Sequence, residues 1–192
     1  MQKKYKLLLF IVPIVITLDQ ITKYWAIVNL KSGKNITVID GYFNFIYREN
    51  KGAAWSFLAN TKDSFRIPFF MTVTIGAILL VLFMIYKLKE EQKILQVVFP
   101  LIVAGATGNL LDRFTNGAVV DFIDWHIGVH HWPTFNIADV SLVAAMVLLG
   151  LELILTTIND FKKRPTPLNT SSAPLQGGES TSEKALGSND ER

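Results

Sequence analysis

Four aspartates stand where a charged side chain needs a physical reason: Asp19 inside the first long apolar segment, Asp112 at the end of the third, Asp121 soon after it and Asp139 at the start of the fourth. Ionisable groups in membrane segments are costly, so they mark ion pairs or functional sites. Two carboxyl groups held close together share one proton. Such a pair can hydrolyse a peptide bond, because one member takes a proton from water while the other polarises the carbonyl. The pattern alone leaves open which two of the four form the pair.

Polar side chains accompany two of these aspartates at helical spacing. Lys23 follows Asp19 by four residues, so the two share a helix face and can pair. Asn109, Asp112 and Arg113 likewise share one face at the end of the third segment. A purely structural role is equally open for both groups, since ion pairs and polar side chains also tie membrane helices together.

Asn136 and Asp139 open the fourth apolar segment in a pattern with two interpretations. Asn136 suits a helix N-cap, and Asp139 suits an acid in the first turn that the helix dipole favours. The same dipole can hold a carboxylate ionised at an enzyme site. Asp121 stands between apolar residues, so we expect a poorly solvated setting that raises its carboxyl pKa.

The elements that must position these residues are four apolar segments, since roughly 20 residues are needed to cross a bilayer. We expect helices over residues 7–28, 67–86, 94–112 and 137–158. Half of the 192 residues are hydrophobic, 18% are charged and none is cysteine, which disfavours a soluble domain and excludes thiol chemistry. The predicted fold is an all-α membrane protein with four transmembrane helices, in one domain covering residues 1–164.

Basic residues mark three ends of the four segments, and four crossings would place all three ends on one side. They are Lys3, Lys4, Lys6, Lys87, Lys89, Lys93, Lys162, Lys163 and Arg164. The positive-inside rule makes that side cytoplasmic, so both termini are expected there and the aspartates near the outer face. The polar composition of residues 165–192 predicts a disordered cytoplasmic tail.

The connection between the first two segments has the pattern of a β-hairpin. Short runs of β-branched and aromatic residues flank Asp40-Gly41, a strong turn signal. We therefore expect a small extracytoplasmic β-sheet over about residues 34–58. Trp55 and Phe57 are candidates to extend it.

Five motifs follow one another along the chain: Asp19-Gln20-x-Thr22-Lys23, Asn50-x-Gly52-Ala53-Ala54-Trp55, Gly108-Asn109-x-x-Asp112-Arg113, Val119-Val120-Asp121-Phe122 and Phe135-Asn136-x-Ala138-Asp139. With the hydropathy of residues 7–158, they resemble the lipoprotein signal peptidases, also called signal peptidase II. The resemblance implies an aspartic endopeptidase of the bacterial cytoplasmic membrane. Such enzymes cut the signal peptide from prolipoproteins just before a diacylglyceryl-modified cysteine, and globomycin blocks their site.

The resemblance also implies roles for particular residues. The family's catalytic pair falls on Asp121 and Asp139. Its other recurrent active-site positions fall on Asp19, Lys23, Asn50, Gly52, Asn109, Asp112, Arg113, Asn136 and Ala138. The implied partners are diacylated prolipoproteins, membrane lipids and globomycin-type inhibitors. Neither a metal, a cofactor nor a nucleic acid is implied, and we expect a monomer.

A metallopeptidase is one alternative. His126, His130 and His131 lie in the same connection as Asp124, and histidines four residues apart suit a helical metal site. The HExxH arrangement with its internal glutamate is absent, and Gly128 makes a continuous helix doubtful.

Two further alternatives use Lys23 differently. A serine–lysine peptidase would pair it with Ser56 or Ser141, although neither serine stands in a recognisable nucleophile motif. A proton-coupled carrier would use intramembrane aspartate and lysine as a relay. Carriers usually show two related halves, and the sequence shows no internal repeat.

Overall fold

Four long helices and one small sheet make up residues 2–52 and 61–163, the part of the chain that the computed structural model describes. The helices are α1 (Lys3–Leu30), α2 (Asp63–Lys87), α3 (Leu95–Asn116) and α4 (Ile137–Lys163), and the strands are β1 (Ile36–Ile39), β2 (Phe43–Asn50), β3 (Val119–Ile127) and β4 (His130–His131). All four helices are long and apolar enough to cross a membrane. The predicted fold class, a four-helix membrane protein with a small sheet, is confirmed.

The helices extend beyond the predicted apolar segments because polar end residues continue the backbone hydrogen bonding. The third helix runs past residue 112 to Asn116 and ends at Gly117, whose φ of 71° lies in the left-handed region. The backbone N–H of Gly117 donates to the carbonyl of Arg113, which is a common way for a helix to end. Asp112 therefore lies within the last turns of α3 and projects from a rigid element.

The sheet is antiparallel with the strand order β1-β2-β3-β4. The hairpin predicted around Asp40-Gly41 is present, and Gly41 has the positive φ (78°) that its turn needs. The sequence patterns predicted no strand between the third and fourth apolar segments, but Val119–Ile127 there forms strand β3. This segment becomes a strand by pairing with β2, a partner far away in sequence that local patterns do not reveal. Trp55 and Phe57 lie outside the described residues, as does the predicted tail.

Helix α3 lies at the centre of the bundle and contacts its neighbours through glycines. A Cβ on Gly105 would come within 2.5 Å of the carbonyl oxygen of Ala138, and one on Gly108 within 2.6 Å of Oδ2 of Asp19. The absence of side chains thus lets α1 and the start of α4 approach α3 closely. This approach positions the polar residues described below.

A second packing contact joins the sheet to the helices. Val120 and Phe122 of β3 form one buried cluster with Ala26 and Leu30 at the end of α1. The sheet therefore packs on the end of α1. Close contacts divide the chain into Met1–Thr156, which contains every residue discussed below, and Thr157–Arg192.

Lys4 shows how the opposite end of the bundle is held. Its side chain is buried, and Nζ donates to the carbonyl oxygens of Tyr86 at 2.7 Å and Leu88 at 2.9 Å. Carbonyls at a helix end lack partners within the helix, so the ammonium group satisfies the end of α2. The basic start of α1 is thus fixed beside the connection from α2 to α3.

Candidate active site

Lys23 is the centre of a buried ion cluster between α1 and α3. Its Nζ lies 2.9 Å from Oδ2 of Asp19, 2.7 Å from Oδ2 of Asp112 and 3.1 Å from Oδ1 of Asn109. The Asp19–Lys23 pair agrees with the helical spacing, whereas the second carboxylate comes from α3. Because Lys23 is only 2% exposed, these contacts replace its lost hydration.

The two carboxylates beside Lys23 also bind backbone groups. Oδ1 of Asp19 accepts from the backbone N–H of Ala138 at 2.8 Å, and Oδ2 of Asp112 accepts from that of Val120 at 3.0 Å. Gln20 donates to Oδ2 of Asp19 at 3.2 Å and to Oδ1 of Asp112 at 3.1 Å. Asp19 and Asp112 are therefore fully engaged in holding α4 and β3. Sequence reasoning gave Gln20 no role, although it stands next to Asp19 in the first motif.

Asn136 and Asp139 form a reciprocal cap at the start of α4. The backbone N–H of Asp139 donates to Oδ1 of Asn136 at 2.9 Å, and that of Asn136 donates to Oδ2 of Asp139 at 3.3 Å. The cap interpretation of this motif therefore describes its geometry. Nδ2 of Asn109 also donates to Oδ1 of Asp139 at 2.8 Å, so the carboxylate belongs both to the cap and to the buried network.

Asp121 lies beside this cap on strand β3. Its Oδ1 accepts from Nδ2 of Asn136 at 2.6 Å, and its Oδ2 accepts from Nδ2 of Asn50 at 3.1 Å. Burial and then the negative charge of Asp139 raise the pKa of Asp121 to about 7, although the hydrogen bonds from Asn50 and Asn136 oppose the rise. The expected poorly solvated setting of Asp121 is thus present, since the residue is only 2% exposed.

Gly52 and Arg113 hold the side chain of Asn50 in place. The backbone N–H of Gly52 donates to Oδ1 of Asn50 at 3.1 Å, and Nη2 of Arg113 donates to the carbonyl of Gly52 at 3.2 Å. The guanidinium lies 5.0 Å from the ring centroid of Phe70, a cation–π contact that sequence reasoning missed. Residues 53–60, which include the rest of the Asn50 motif, lie outside the described part of the chain.

The predicted site residues thus form one connected network drawn from α1, β2, α3, β3 and α4. Their individual roles stay predictions. The serine–lysine alternative does not fit the described contacts, because Oγ of Ser141 donates to the carbonyl of Ala138 at 2.7 Å and Lys23 is bound to carboxylates. Ser56 lies outside the described residues.

A cavity of about 660 Å³ opens beside Asp139, one of the two aspartates that Asn136 connects. Its walls are mostly apolar and come from the end of β2, from the segment before α4 and from α4 itself: Asn50, Trp132, Pro133, Thr134, Phe135, Asp139, Val140, Val143 and Ala144. Asn50 and Asp139 are the members of the polar network that line it. A second cavity, of about 640 Å³, shares Trp132–Thr134 with the first and includes Asp124 and His131.

Buried carboxyl groups near an apolar cavity, in a protein with four membrane-spanning helices, define an integral membrane enzyme with acid–base side chains. The chain belongs to the signal peptidase II family, because residues 11–155 match the family model described as signal peptidase (SPase) II. It is therefore a multi-pass enzyme of the bacterial inner membrane that acts on peptide bonds. Both the predicted family and the predicted reaction class are confirmed.

Curated relatives and solved structures agree with this assignment. The chain is 40% identical over 154 residues to the lipoprotein signal peptidase of Syntrophus aciditrophicus (strain SB), covering 80% of this chain and 96% of that one. It is 38% identical over 154 residues to the lipoprotein signal peptidase of Geobacter metallireducens, covering 80% and 94%. A bacterial membrane enzyme solved by the in meso method at 2.3 Å superposes with a TM-score of 0.70 and 34% identity, over 83% of this chain and 94% of the other.

Proposed function

We propose that this enzyme removes the signal peptide from diacylglyceryl-modified prolipoproteins by cutting just before the lipidated cysteine, with Asp121 and Asp139 as the catalytic pair. The observation that carries the proposal is Asn136, which donates to Asp121 and caps the backbone N–H of Asp139. It ties Asp121 to Asp139, which lines the apolar cavity.

The charge distribution supports choosing these two aspartates among the four. Asp19 and Asp112 are both in ion pairs with Lys23, and their remaining contacts bind backbone groups. Within the described part of the chain, the carboxyl groups of Asp121 and Asp139 accept hydrogen bonds from amide groups only. Neither carboxyl group there contacts an ammonium or guanidinium group. A proton shared between them lowers the cost of burying two carboxylates.

The chemistry follows from one proton on the pair. The ionised carboxylate takes a proton from water while the water oxygen bonds to the scissile carbonyl carbon, and the protonated carboxyl gives its proton to the carbonyl oxygen. The first aspartate then delivers its proton to the amide nitrogen as the C–N bond breaks. The second regains its proton from the collapsing intermediate, so the pair returns to its starting state.

The cavity suits a substrate that is itself lipidated. Val140, Val143 and Ala144 extend its apolar wall along α4, away from Asp139. An acyl chain or the apolar core of a signal peptide can lie against this wall while the scissile bond reaches the carboxyl pair. Asn50 lines the same cavity, so the positioning residues Gly52 and Arg113 would shape the substrate site through it.

The proposed orientation places the sheet and the carboxyl pair at the outer face of the membrane, with both termini in the cytoplasm. Its support is the positive-inside rule, because the lysine-rich start of α1 and the lysines between α2 and α3 lie opposite the connections that carry the sheet. We further propose that globomycin-type inhibitors bind in the cavity beside Asp139 and that the chain acts as a monomer surrounded by membrane lipids.

The test uses purified full-length protein and a diacylated precursor peptide, with products identified by mass spectrometry. We expect a single cut before the modified cysteine, inhibition by globomycin and little turnover of the same peptide without the lipid. Asp121→Asn and Asp139→Asn should each lower turnover by about 10²- to 10⁴-fold. Asp40→Asn, an exposed turn residue, is the matched control. Near-normal turnover by Asp121→Asn or Asp139→Asn would contradict the assignment of these two aspartates as the catalytic pair.

A further inference from the structure

Three potential metal ligands meet where β3 pairs with β4. One ligating atom from each of Asp124, His126 and His131 lies within 4.8 Å of the others. His126 and His131 are directly opposite one another on the two antiparallel strands. Cross-strand neighbours have side chains close enough to hold one ion together.

His126 is the member of this cluster that needs an explanation. The residue is 7% exposed, and its Nδ1 has no hydrogen-bond partner among the described residues. Oδ2 of Asp124 lies 3.5 Å from this Nδ1. Buried polar atoms nearly always have a partner, and an orphan at such a place suggests a bound ion.

We propose that Asp124, His126 and His131 bind a divalent transition metal ion of the zinc type. Two imidazole nitrogens and one carboxylate oxygen form a set that zinc accepts, with a fourth position left for water. Ligand atoms on a tetrahedral zinc ion lie about 3.3 Å apart, close to the 3.5 Å between Nδ1 of His126 and Oδ2 of Asp124.

Asn44 supplies the supporting contact that metal sites usually have. Its Nδ2 donates to Oδ2 of Asp124 at 3.2 Å and so fixes the carboxylate. Oδ1 of the same carboxylate lies 2.8 Å from Nδ1 of His131. The acid is thus already oriented between the two histidines.

His131 is the ligand that must move when the ion binds. The two imidazole rings are stacked, with centroids 4.5 Å apart and an interplanar angle of 14°. A metal ion lies near the plane of each ring that binds it, so parallel rings cannot both reach one ion without a rotation. The side chain of His131 is 51% exposed, which leaves it free to turn.

This site is distinct from the carboxyl pair. Side chains alternate between the two faces along β3, which puts Asp124 and His126 on the face opposite Asp121. His131 is nevertheless followed directly by Trp132–Thr134, which line the cavity beside Asp139. A bound ion would hold β4 against β3 and restrict that wall of the substrate cavity, so it acts on turnover indirectly.

The experiment uses full-length protein purified without a histidine tag and freed of metal by a chelator. Co²⁺ is titrated in while visible absorption is recorded, and Zn²⁺ is then added as competitor. We expect one ion per chain, with the d–d bands of a tetrahedral Co²⁺ site. His126→Gln and His131→Gln should each weaken binding by about 10-fold or more. His130→Gln is the control, since the neighbouring histidine lies outside the cluster.

The surface variant keeps the test decisive even if the buried one fails to fold, because His131 is exposed. Binding that survives His131→Gln, or that is lost equally in His130→Gln, would overturn the site. Loss of binding in an Asp121→Asn, Asp139→Asn double variant would place the ion at the carboxyl pair instead. Reduced turnover that persists in the chelated protein supports a site outside the reaction, and complete loss of turnover on chelation would contradict that.

Discussion

Asp19 and Ala138 are 119 residues apart in the chain and are joined by a 2.8 Å hydrogen bond from the backbone N–H of Ala138 to Oδ1 of Asp19. The same carboxylate is in an ion pair with Lys23. The start of α4 is therefore fixed to a buried charge in the first helix. Because Asp139 is the next residue, its position depends on an ion pair that takes no part in the proposed chemistry.

Removing the cation of that cluster should damage the fold. Lys23→Met leaves Asp19 and Asp112 facing each other without a counter-ion, so we expect a loss of about 3–5 kcal/mol of stability. Lys31→Met is the matched control, because that side chain is 57% exposed and its 3.4 Å pair with Glu49 is worth little. Thermal unfolding in detergent measures both. Similar melting temperatures for the two variants would refute this account of Lys23.

A methyl group on Gly108 should disturb the same region by crowding. In Gly108→Ala the new Cβ would lie 2.6 Å from Oδ2 of Asp19 and 3.1 Å from Cβ of Ala138. We expect a loss of about 1–3 kcal/mol together with reduced turnover, because the start of α4 must shift.

Gly76→Ala provides the control for the helix backbone, since nothing lies within 4 Å of a Cβ there. It should unfold at the wild-type temperature or slightly above it, because alanine has the better helix propensity. Equal effects at both glycines would show that the contact with Asp19 is unimportant.

The pKa of Asp121 predicts how turnover depends on pH. A carboxyl with a pKa of about 7 keeps its proton in mildly acidic solution and loses it above neutrality. If the pair works with one shared proton, turnover should fall as the pH rises past about 7. The turnover of the lipidated peptide, measured from pH 5 to 9, tests this. We expect the fall in rate to correspond to the loss of about one proton from the enzyme. A flat profile would exclude a titrating pair in that range.

The carboxyl group of Asp121 should also make the stability of the folded protein depend on pH, in a direction that its raised pKa determines. The pKa of Asp121 is raised from 3.8 to about 7 on folding, so the folded state binds the proton more tightly than the unfolded state. The contribution of this raised pKa to the free energy of unfolding is fully present below pH 3.8 and is lost as the pH rises through about 7. Asp121→Asn should flatten this part of the stability curve. An unchanged slope between pH 4 and 7 in the variant would contradict the shift.

Asn136→Ser separates the cap of α4 from the bridge to Asp121. Serine is a good N-cap, but its side chain is too short to replace the 2.6 Å hydrogen bond from Nδ2 to Oδ1 of Asp121. We expect turnover to fall by about 10²-fold, as for a misplaced catalytic group. The melting temperature should change little, because the cap is kept. Asn29→Ser, at an exposed position of α1, is the control. Comparable turnover by the two variants would show that the bridge is dispensable.

Much of the fold follows from local patterns in the sequence. Apolar length predicted the four helices, helical spacing predicted the Asp19–Lys23 pair, and Asp40-Gly41 predicted the hairpin turn. Strand β3 was not predicted, because this segment becomes a strand by pairing with β2. Pairing between segments so distant in sequence is a property of the packed molecule.

The site shows the same division. A common depth in the membrane was enough to expect that the aspartates meet, and they do share one hydrogen-bonded network. Membrane depth alone could not predict three contacts. Asp112 forms an ion pair with Lys23, Gln20 bridges Asp19 and Asp112, and Phe70 lies against the guanidinium of Arg113. These contacts depend on the rotation of each helix about its axis, which α3 fixes through its glycines.

The apolar wall along α4 has a consequence for how the enzyme meets its substrate. Val140, Val143 and Ala144 belong to a helix that crosses the bilayer, so we expect the cavity beside Asp139 to be reached from the lipid. A precursor anchored in the same bilayer would arrive by lateral diffusion, a search in two dimensions. The encounter rate would then follow the number of precursors per unit of membrane area, and lipid viscosity would govern throughput more than any concentration in the surrounding water.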